Sequence, residues 1–430
     1  MIRVIDQGLR SVFIALACLP MHPTQVRSET EELRIKIEAL GVATGQLEAT
    51  KFSPTSVLTG QTSLVMGGNQ FGGSAQGLKR KNGGKYGATT VNYDARIILD
   101  TSFNGQDLLH LRLRAGNFDG ATNSFAGAGP SLLSQLEVAF QAPLAPNRIA
   151  VNRLYYQWPI GEFTFTLGPR VEQDTMLAIW PSVYPSESIL DLTTYSGAIG
   201  ASNLSTGSGV GVWWKRSGFA ISANYVAANG NLGGLKSGGI AGKASGSSTS
   251  IQVGYAGKSW ALTALYSAVQ NGFNVIPYGT NFTLNSLLRP GTTNAFGLSG
   301  YWQPSQKSWL PSISAGWGVN NTSYSSNIND TGLVDTSQSW VVGLEWQDAF
   351  RQGNSLGMAV GQPTFATSLK GGGTPNDGNL IWEWWYKVAL SDQIALTPGV
   401  FYLSRPLGAD TPTGKSFSQL GALVKTSFRF

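Results

Sequence analysis

Hydrophobic and polar residues alternate along most of the chain. Apolar residues take every second position from 91 to 99, and the same alternation returns at 219–225 and 313–319. A period of two places successive side chains on opposite faces of a strand. Asn104-Gly105 separates two of these segments, and this dipeptide accepts the positive φ angles of a tight hairpin turn. The pattern therefore predicts consecutive antiparallel hairpins, each with one apolar and one polar face.

The connections between these segments alternate between short and long. Long connections are predicted at 405–416, 362–379, 320–337, 269–293, 228–248, 172–207 and 117–147, and short ones at 391–392, 348–353, 304–308, 257–258, 215–217 and 159–161. Bacterial outer-membrane barrels have tight periplasmic turns and extended external loops, whereas a soluble β-sandwich has no physical reason to sort its loops in this way. We therefore predict an all-β protein, a transmembrane antiparallel β-barrel of about 16 strands, at residues 52–430.

One further segment alternates and complicates the strand count. Residues 135–141 read QLEVAFQ, and counting them as a strand would give an odd number of strands. Because bacterial barrels have an even number, we place this segment inside the long connection 117–147.

Two segments precede the predicted barrel. Residues 1–25 combine Arg3 and Arg10 with a short apolar stretch, which resembles a secretory signal. Residues 28–50 carry apolar side chains at heptad spacing with charges between them, and predict a short coiled-coil-like helical linker. We expect this linker and the amino terminus to lie in the periplasm.

Composition excludes several classes of protein. The longest apolar run, Val12–Leu19, is too short to cross about 30 Å of hydrocarbon as a helix. A single Cys excludes a disulfide framework, and His110 is the only His beyond the leader, which leaves little material for catalysis. The net charge of +6 is scattered and lacks the footprint of a nucleic-acid-binding protein. We expect no enzyme, no cofactor, no metal site and no nucleic-acid partner.

The carboxyl-terminal strand and several aromatic pairs indicate contact with the membrane. Leu420, Val424 and Phe428 alternate with inward Lys425, and the chain ends in Phe430, which is typical of the signal read by the outer-membrane assembly machinery. Tryptophans in two runs are predicted to be interfacial anchors; these are Trp213, Trp214, Trp382, Trp384 and Trp385. Glycines at inward positions predict a smooth lumenal wall; these are Gly209, Gly211, Gly316 and Gly318.

Several stretches resemble a known family. They are LEATKFSPTSVLTGQ (47–61), FNGQDLLHLRLRAGNF (103–118), RLYYQWPIG (153–161), GLEWQDAFRQGNSLGMAVGQP (343–363), IALTPGVFYL (394–403) and SFRF (427–430). In these stretches the chain resembles the cyanobacterial outer-membrane porins, the iron-uptake group within the carbohydrate-selective, OprB-like porin superfamily. The resemblance implies a water-filled, homotrimeric channel for passive diffusion of ions and small hydrophilic solutes across the outer membrane.

The charges assigned to the lumen predict a constriction. Basic residues on the second to fifth strands are predicted to line the pore; they are Arg96, Arg112, Arg114, Arg153 and Arg170. In general porins the loop after the fifth strand folds inward, and here it carries acidic residues; they are Glu172, Asp174, Glu187 and Asp191. Basic wall and acidic loop on opposite sides would set up a transverse field that orients polar solutes. The excess of cations predicts a mild preference for anions.

Three functions stay open at this stage. Sugar-selective channels line their path with aromatic platforms, whereas here most aromatics fall on outward positions; the inward ones are Tyr155, Trp213, Trp385 and Phe401. This favours inorganic ions, iron among them, and small hydrophilic solutes. The alternatives are a carbohydrate-selective porin and a non-conducting barrel that acts as a scaffold or adhesin.

Overall fold

The architecture was obtained from a computed structural model, which describes residues 55–139, 146–185, 188–272, 276–305 and 309–430. The leader-like segment 1–25 and the linker 28–50 lie outside the described residues. The chain divides into the units Met1–Val57 and Leu58–Phe430. Among the described residues, no helix has the length and apolarity needed to cross a membrane.

Sixteen antiparallel strands form a closed barrel, in which each strand pairs with its sequence neighbours and the first pairs with the last. The strands are β1 (Ser56–Gly72), β2 (Thr90–Thr101), β3 (Leu108–Gly116), β4 (Ala150–Ile160), β5 (Phe163–Glu172), β6 (Thr206–Arg216), β7 (Phe219–Ala227), β8 (Ser247–Ala256), β9 (Trp260–Gln270), β10 (Gly291–Trp302), β11 (Ser312–Tyr324), β12 (Val334–Gln347), β13 (Ser355–Leu369), β14 (Leu380–Ala389), β15 (Ile394–Ser404) and β16 (Ser418–Arg429). The described connections contain two α-helices, α1 (Gln76–Tyr86) and α2 (Asn281–Leu287). The predicted all-β barrel and its strand number are confirmed.

The alternation along each strand sorts apolar side chains outward. On β1, Leu64 and Met66 expose 45% and 59% of their surface, whereas Val65 between them is fully buried. Backbone hydrogen bonds between Gly60 and Phe430 close the seam of the barrel. Closure satisfies the backbone polar groups that an open sheet edge would leave unpaired in hydrocarbon.

Two connections are much shorter than predicted. β11 extends to Tyr324 and β12 begins at Val334, so the connection predicted at 320–337 shrinks from both sides. The polar residues that read as loop are inward side chains of these strands, and the Asn320 amide donates to Ser337 Oγ at 3.1 Å. The connection predicted at 362–379 shrinks for the same reason, because β13 continues to Leu369.

A hydrophobic core fills part of the barrel interior. The connections β3–β4, β5–β6 and β9–β10 contribute to it, together with inward residues of the wall. Its members include Phe125, Leu133, Leu136, Leu190, Leu192, Ile199, Tyr278, Ile381, Trp385 and Phe401. The segment that begins at Gln135 is not a barrel strand, as predicted; Leu136 instead forms an isolated bridge with Leu190 inside the barrel.

For Trp385 the prediction of an interfacial anchor is wrong, and the prediction of an inward side chain is confirmed. Trp382 and Trp384 face outward, but Trp385 exposes only 4% of its surface. Its Nε1 donates to the Tyr184 hydroxyl at 2.8 Å. Trp385 follows Trp384 directly, so the alternation of β14 turns it into the lumen, where it contacts the β5–β6 connection.

Candidate functional site: a constriction in the lumen

Residues 173–205, which we call the inner loop, connect β5 to β6 and run along the inner wall of the barrel. Ser222 Oγ on β7 accepts from Ala178 N at 2.7 Å, and Ser314 Oγ on β11 accepts from Tyr184 N at 3.0 Å. Farther along, Lys425 Nζ on β16 donates to the Ser188 carbonyl at 3.0 Å. The loop therefore covers the wall from β6 round to β16 and leaves the side formed by β2–β5 open.

Inward-facing glycines of the wall leave the space that this loop occupies. A Cβ built at Gly316 would stand 1.8 Å from the Ser196 carbonyl oxygen, and one at Gly399 would stand 1.8 Å from Ile189 Cδ1. These separations are far inside van der Waals contact. The sequence suggested a smooth lumenal wall at Gly316. In the structure, backbone of the inner loop covers the wall at this position.

Replacing Gly316 by Val should displace the inner loop. Overpacking of this kind costs roughly 1–3 kcal/mol and shifts backbone, so we expect a larger single-channel conductance and a lower thermal transition. Gly84→Ala is the matched control, because nothing lies within 4 Å of a Cβ at Gly84. An unchanged conductance in folded Gly316→Val would contradict the assignment.

Strand register brings the arginines of the open side together in like-charged pairs. Arg96 lies opposite Arg114, and Arg112 lies opposite Arg153. Like charges directly opposite each other destabilise a sheet unless they are compensated. An extra residue, Asn152, bulges out of register next to Arg153 on β4, and both side chains are buried.

Carboxylates compensate three of the five arginines. Asp94 accepts from Arg96 Nε and from Arg114 Nε, each at 2.6 Å. Glu137 accepts from Arg96 Nη2 at 3.0 Å, and Glu172 forms an ion pair with Arg153. The sequence analysis missed Glu137, which lies in the segment QLEVAFQ, because only the folded β3–β4 connection carries it to the wall.

The other two arginines form no ion pair with the described residues. Arg112 Nη1 has one long hydrogen bond, 3.4 Å, to Asn152 Oδ1, and its Nε has no hydrogen-bond partner among the described atoms. Arg170 Nε donates to the Asn152 backbone carbonyl at 3.1 Å. Of the two, Arg112 lies where its positive charge is available to a solute.

Two carboxyl groups on the acidic side of the site have raised pKa values, so they carry less negative charge near neutral pH. Burial raises the pKa of Asp191 to about 7; the Glu137 and Glu172 carboxylates raise it as well, while a hydrogen bond from the Tyr278 hydroxyl lowers it. Burial and the Glu172 carboxylate raise the pKa of Asp174 to about 6. Glu172 is the last residue of β5 rather than part of the loop. Glu187 lies outside the described residues.

These groups surround one cavity of about 710 Å³. Its walls include the predicted residues Arg96, Arg112, Arg114, Arg153, Glu172, Asp174 and Asp191. Arg170 does not line it. Glu137 and two aromatic residues of the inner loop, Trp180 and Tyr195, line it as well. The aromatics escaped the sequence analysis because loop residues have no alternation from which to read their direction. Among the described residues, no group of His, Cys, Asp and Glu is arranged to hold a metal ion.

Acidification from pH 8 to pH 5 should strengthen the preference for anions. Protonation of Asp191 and Asp174 removes negative charge from the constriction as the pH falls through about 7 and about 6. The reversal potential under a KCl gradient measures the change. In the double variant Asp174→Asn with Asp191→Asn, selectivity should vary much less over this range, and a pH-independent native channel would contradict the prediction.

Comparison with known proteins identifies the family. The model of the OprB family of carbohydrate-selective porins matches residues 24–421. The chain belongs to this family. It is therefore an outer-membrane porin, as the sequence resemblance indicated, and the family consists of channels rather than enzymes.

The chain is also similar to uncharacterised relatives and shares its fold with solved structures. An uncharacterised protein of Nostoc sp. is 28% identical over 427 residues and covers 91% of this chain and 69% of its own. One from Synechocystis sp. is 24% identical and covers 94% and 74%. Pseudomonas putida OprB shares the fold with a TM-score of 0.55 at 12% identity, covering 87% of this chain and 94% of its own. The trimer form of Vibrio cholerae OmpT has a TM-score of 0.50 at 9% identity, covering 87% and 99%.

Proposed function

We propose that this OprB-family porin is a passive diffusion channel for small hydrophilic solutes, with carbohydrates as the main class and a mild preference for anionic ones. The constriction supports this proposal. Arg112 offers an uncompensated cation to the cavity, while Trp180 and Tyr195 bring aromatic rings to the same space. Guanidinium and carboxylate groups can exchange hydrogen bonds with sugar hydroxyls, and aromatic faces pack against the apolar face of a sugar ring.

Inorganic ions, iron among them, are the second candidate. The charges that line the cavity favour them, since a ring of ionised groups at a narrowing selects by charge. The aromatic residues and the family favour carbohydrates over iron. Few aromatic side chains of the strands point inward, which by itself speaks against sugars. Trp180 and Tyr195 of the inner loop add two aromatic rings that the strand alternation does not indicate.

Recordings in planar bilayers separate these functions. We expect ohmic KCl currents that neutral and acidic monosaccharides or disaccharides interrupt in a concentration-dependent way. Block by ferric complexes with no effect of sugars would favour the second candidate. Absence of any current from the folded, reconstituted protein would overturn the channel function and leave a scaffold or adhesin.

We further propose that the porin is a homotrimer with its amino terminus in the periplasm and its long connections outside the cell. The trimer form of Vibrio cholerae OmpT, which shares the fold, supports the oligomeric state. The division into short and long connections supports the orientation. Phe430 remains largely exposed at the end of β16, where the assembly machinery could bind it. Current closure in three equal steps would support the trimer.

A further inference from the structure

The helix α1 carries a concentrated positive charge. Lys79, Arg80, Lys81 and Lys85 lie within its 11 residues, which include no acidic residue. All four side chains are exposed. Among the described residues none of the four forms an ion pair; Lys85 Nζ lies only over the neighbouring Tyr86 ring, 4.9 Å from its centroid.

Only Lys85, in the last turn, is placed to interact favourably with the helix dipole. Lys81 and Lys85 are four residues apart, the spacing at which like charges repel across one helical turn. Gly83 and Gly84 lower helix propensity further. Ala75, at the position before the helix, provides no side-chain cap. The fold of the isolated chain therefore offers no reason for four adjacent cations.

Apolar contacts and one hydrogen bond hold the helix at the rim of the barrel. Leu78 and Tyr86 pack with Phe71 and Phe417, and the Tyr86 hydroxyl donates to the Ala128 carbonyl at 3.0 Å. Short links of residues 73–75 and 87–89 join the helix to β1 and β2. Leu78 and Tyr86 therefore face the barrel, while all four cations remain exposed to solvent.

A fifth cation adjoins the helix. Lys415 is exposed on the β15–β16 connection, and the next residue, Ser416, accepts from Ser74 N at 3.0 Å. We call Lys79, Arg80, Lys81, Lys85 and Lys415 the rim patch. The β15–β16 connection carries one carboxylate, Asp410, against these five cations.

The opposite end of the barrel has no comparable surface. Its short connections and adjoining strand ends carry both signs of charge; they include Lys215, Arg216, Lys258, Arg351 and Arg429 with Asp107, Glu162, Asp348 and Asp392. Arg216 there pairs with Glu162 at 2.9 Å. The uncompensated charge is therefore a property of the long-connection end.

We propose that the rim patch binds the anionic headgroups, phosphate or carboxylate, of glycolipid in the outer leaflet of the membrane. The patch lies where the lipid-facing wall ends: Val91, the second residue of β2, exposes 67% of its surface. Clusters of Lys and Arg beside a membrane-spanning segment bind anionic headgroups. The proposal rests on the external position of the long connections, but not on the solute that the channel carries.

Binding of purified lipid A to the full-length porin in detergent tests the proposal. Lipid A with its phosphates and the same lipid with the phosphates removed serve as probes, measured by fluorescence anisotropy at several salt concentrations. The rim variant replaces Lys79, Arg80, Lys81 and Lys85 by Gln. The matched control replaces Lys215, Arg216, Lys258 and Arg351 by Gln, and so removes the same number of cations from the other end.

We expect phosphorylated lipid A to bind the native porin and the control alike, and the rim variant at least about tenfold more weakly with a shallower salt dependence. Equal binding of phosphorylated and dephosphorylated lipid would overturn the proposal. The proposal would also be overturned if the rim variant kept its affinity for the lipid but conducted small anions less well. The rim patch would then attract anionic solutes to the channel rather than bind lipid. The conductance of the rim variant and its block by sugars should match those of the native channel. This result would show that the variant is folded. It would also separate the test of lipid binding from the test of the channel function.

Discussion

Replacing Arg112 by Gln should lower the anion-to-cation permeability ratio of the channel at least about fivefold, and replacing it by Glu should make the channel cation-selective. Arg112 lines the cavity and forms no ion pair with the described residues. At an effective dielectric constant of about 20, one charge about 8 Å from a passing ion contributes roughly 2 kcal/mol. Screening reduces this to roughly 1 kcal/mol, about fivefold in permeability. The reversal potential under a KCl gradient measures the ratio.

Two further variants control for this effect. Lys387→Gln removes a lumenal cation near the short-connection end, away from the constriction, and should change the ratio little. Arg96→Gln removes a cation that Asp94 and Glu137 already compensate. It leaves those carboxylates in the constriction, so it should also reduce the preference for anions. If Arg112→Gln behaves like Lys387→Gln, Arg112 does not set the selectivity.

Replacing Glu383 by Ala should release the inner loop and enlarge the pore. The fully buried Glu383 carboxylate on β14 accepts from the Tyr184 hydroxyl at 2.6 Å, from Leu190 N at 2.7 Å and from Thr193 Oγ1 at 3.2 Å. Each buried donor left without an acceptor costs about 1–3 kcal/mol. We expect a single-channel conductance at least about twofold higher, on the assumption that the loop swings away from the wall, together with frequent current fluctuations as it moves.

Glu383→Gln is the matched variant for this experiment. Its amide oxygen keeps an acceptor for the inner loop while the negative charge is lost, so its conductance should stay close to that of the native channel. A large conductance increase in both variants would assign the effect to the charge rather than to the anchoring of the loop. Normal conductance of folded Glu383→Ala would show that the other wall contacts, such as that between Ser314 and Tyr184, suffice.

The alternation of the strands was readable because it is a local property with a strong physical cause. Lipid excludes polar side chains from the outer face, so Leu64 and Met66 must point outward and the residue between them inward. The same rule assigned Arg96, Arg112 and Arg114 to the lumen. The alternation rule failed at Asn152, where a bulge turns two consecutive residues inward. It also failed at the polar ends of β11 and β12, which it predicted to be loop.

The constriction was readable only in part. The sequence indicated which cations face the lumen and which loop carries acids. It did not indicate that Glu137, far from that loop in the sequence, neutralises Arg96, or that Trp180 and Tyr195 complete the cavity. The direction of a loop side chain depends on contacts made after folding; Leu190 and its acceptor Glu383 are 193 residues apart.

The sequence by itself determined the barrel, its strand number and the two sides of its wall, because a period of two and the solvation of each face act residue by residue. Only the tertiary structure decided the channel inside it. The path of the inner loop over the inward glycines and the pairing of Arg153 with Glu172 depend on distances between segments far apart in the chain. So does the lack of an ion pair between Arg112 and the described residues. Those distances determine where charge remains uncompensated, and hence which solutes the constriction can select.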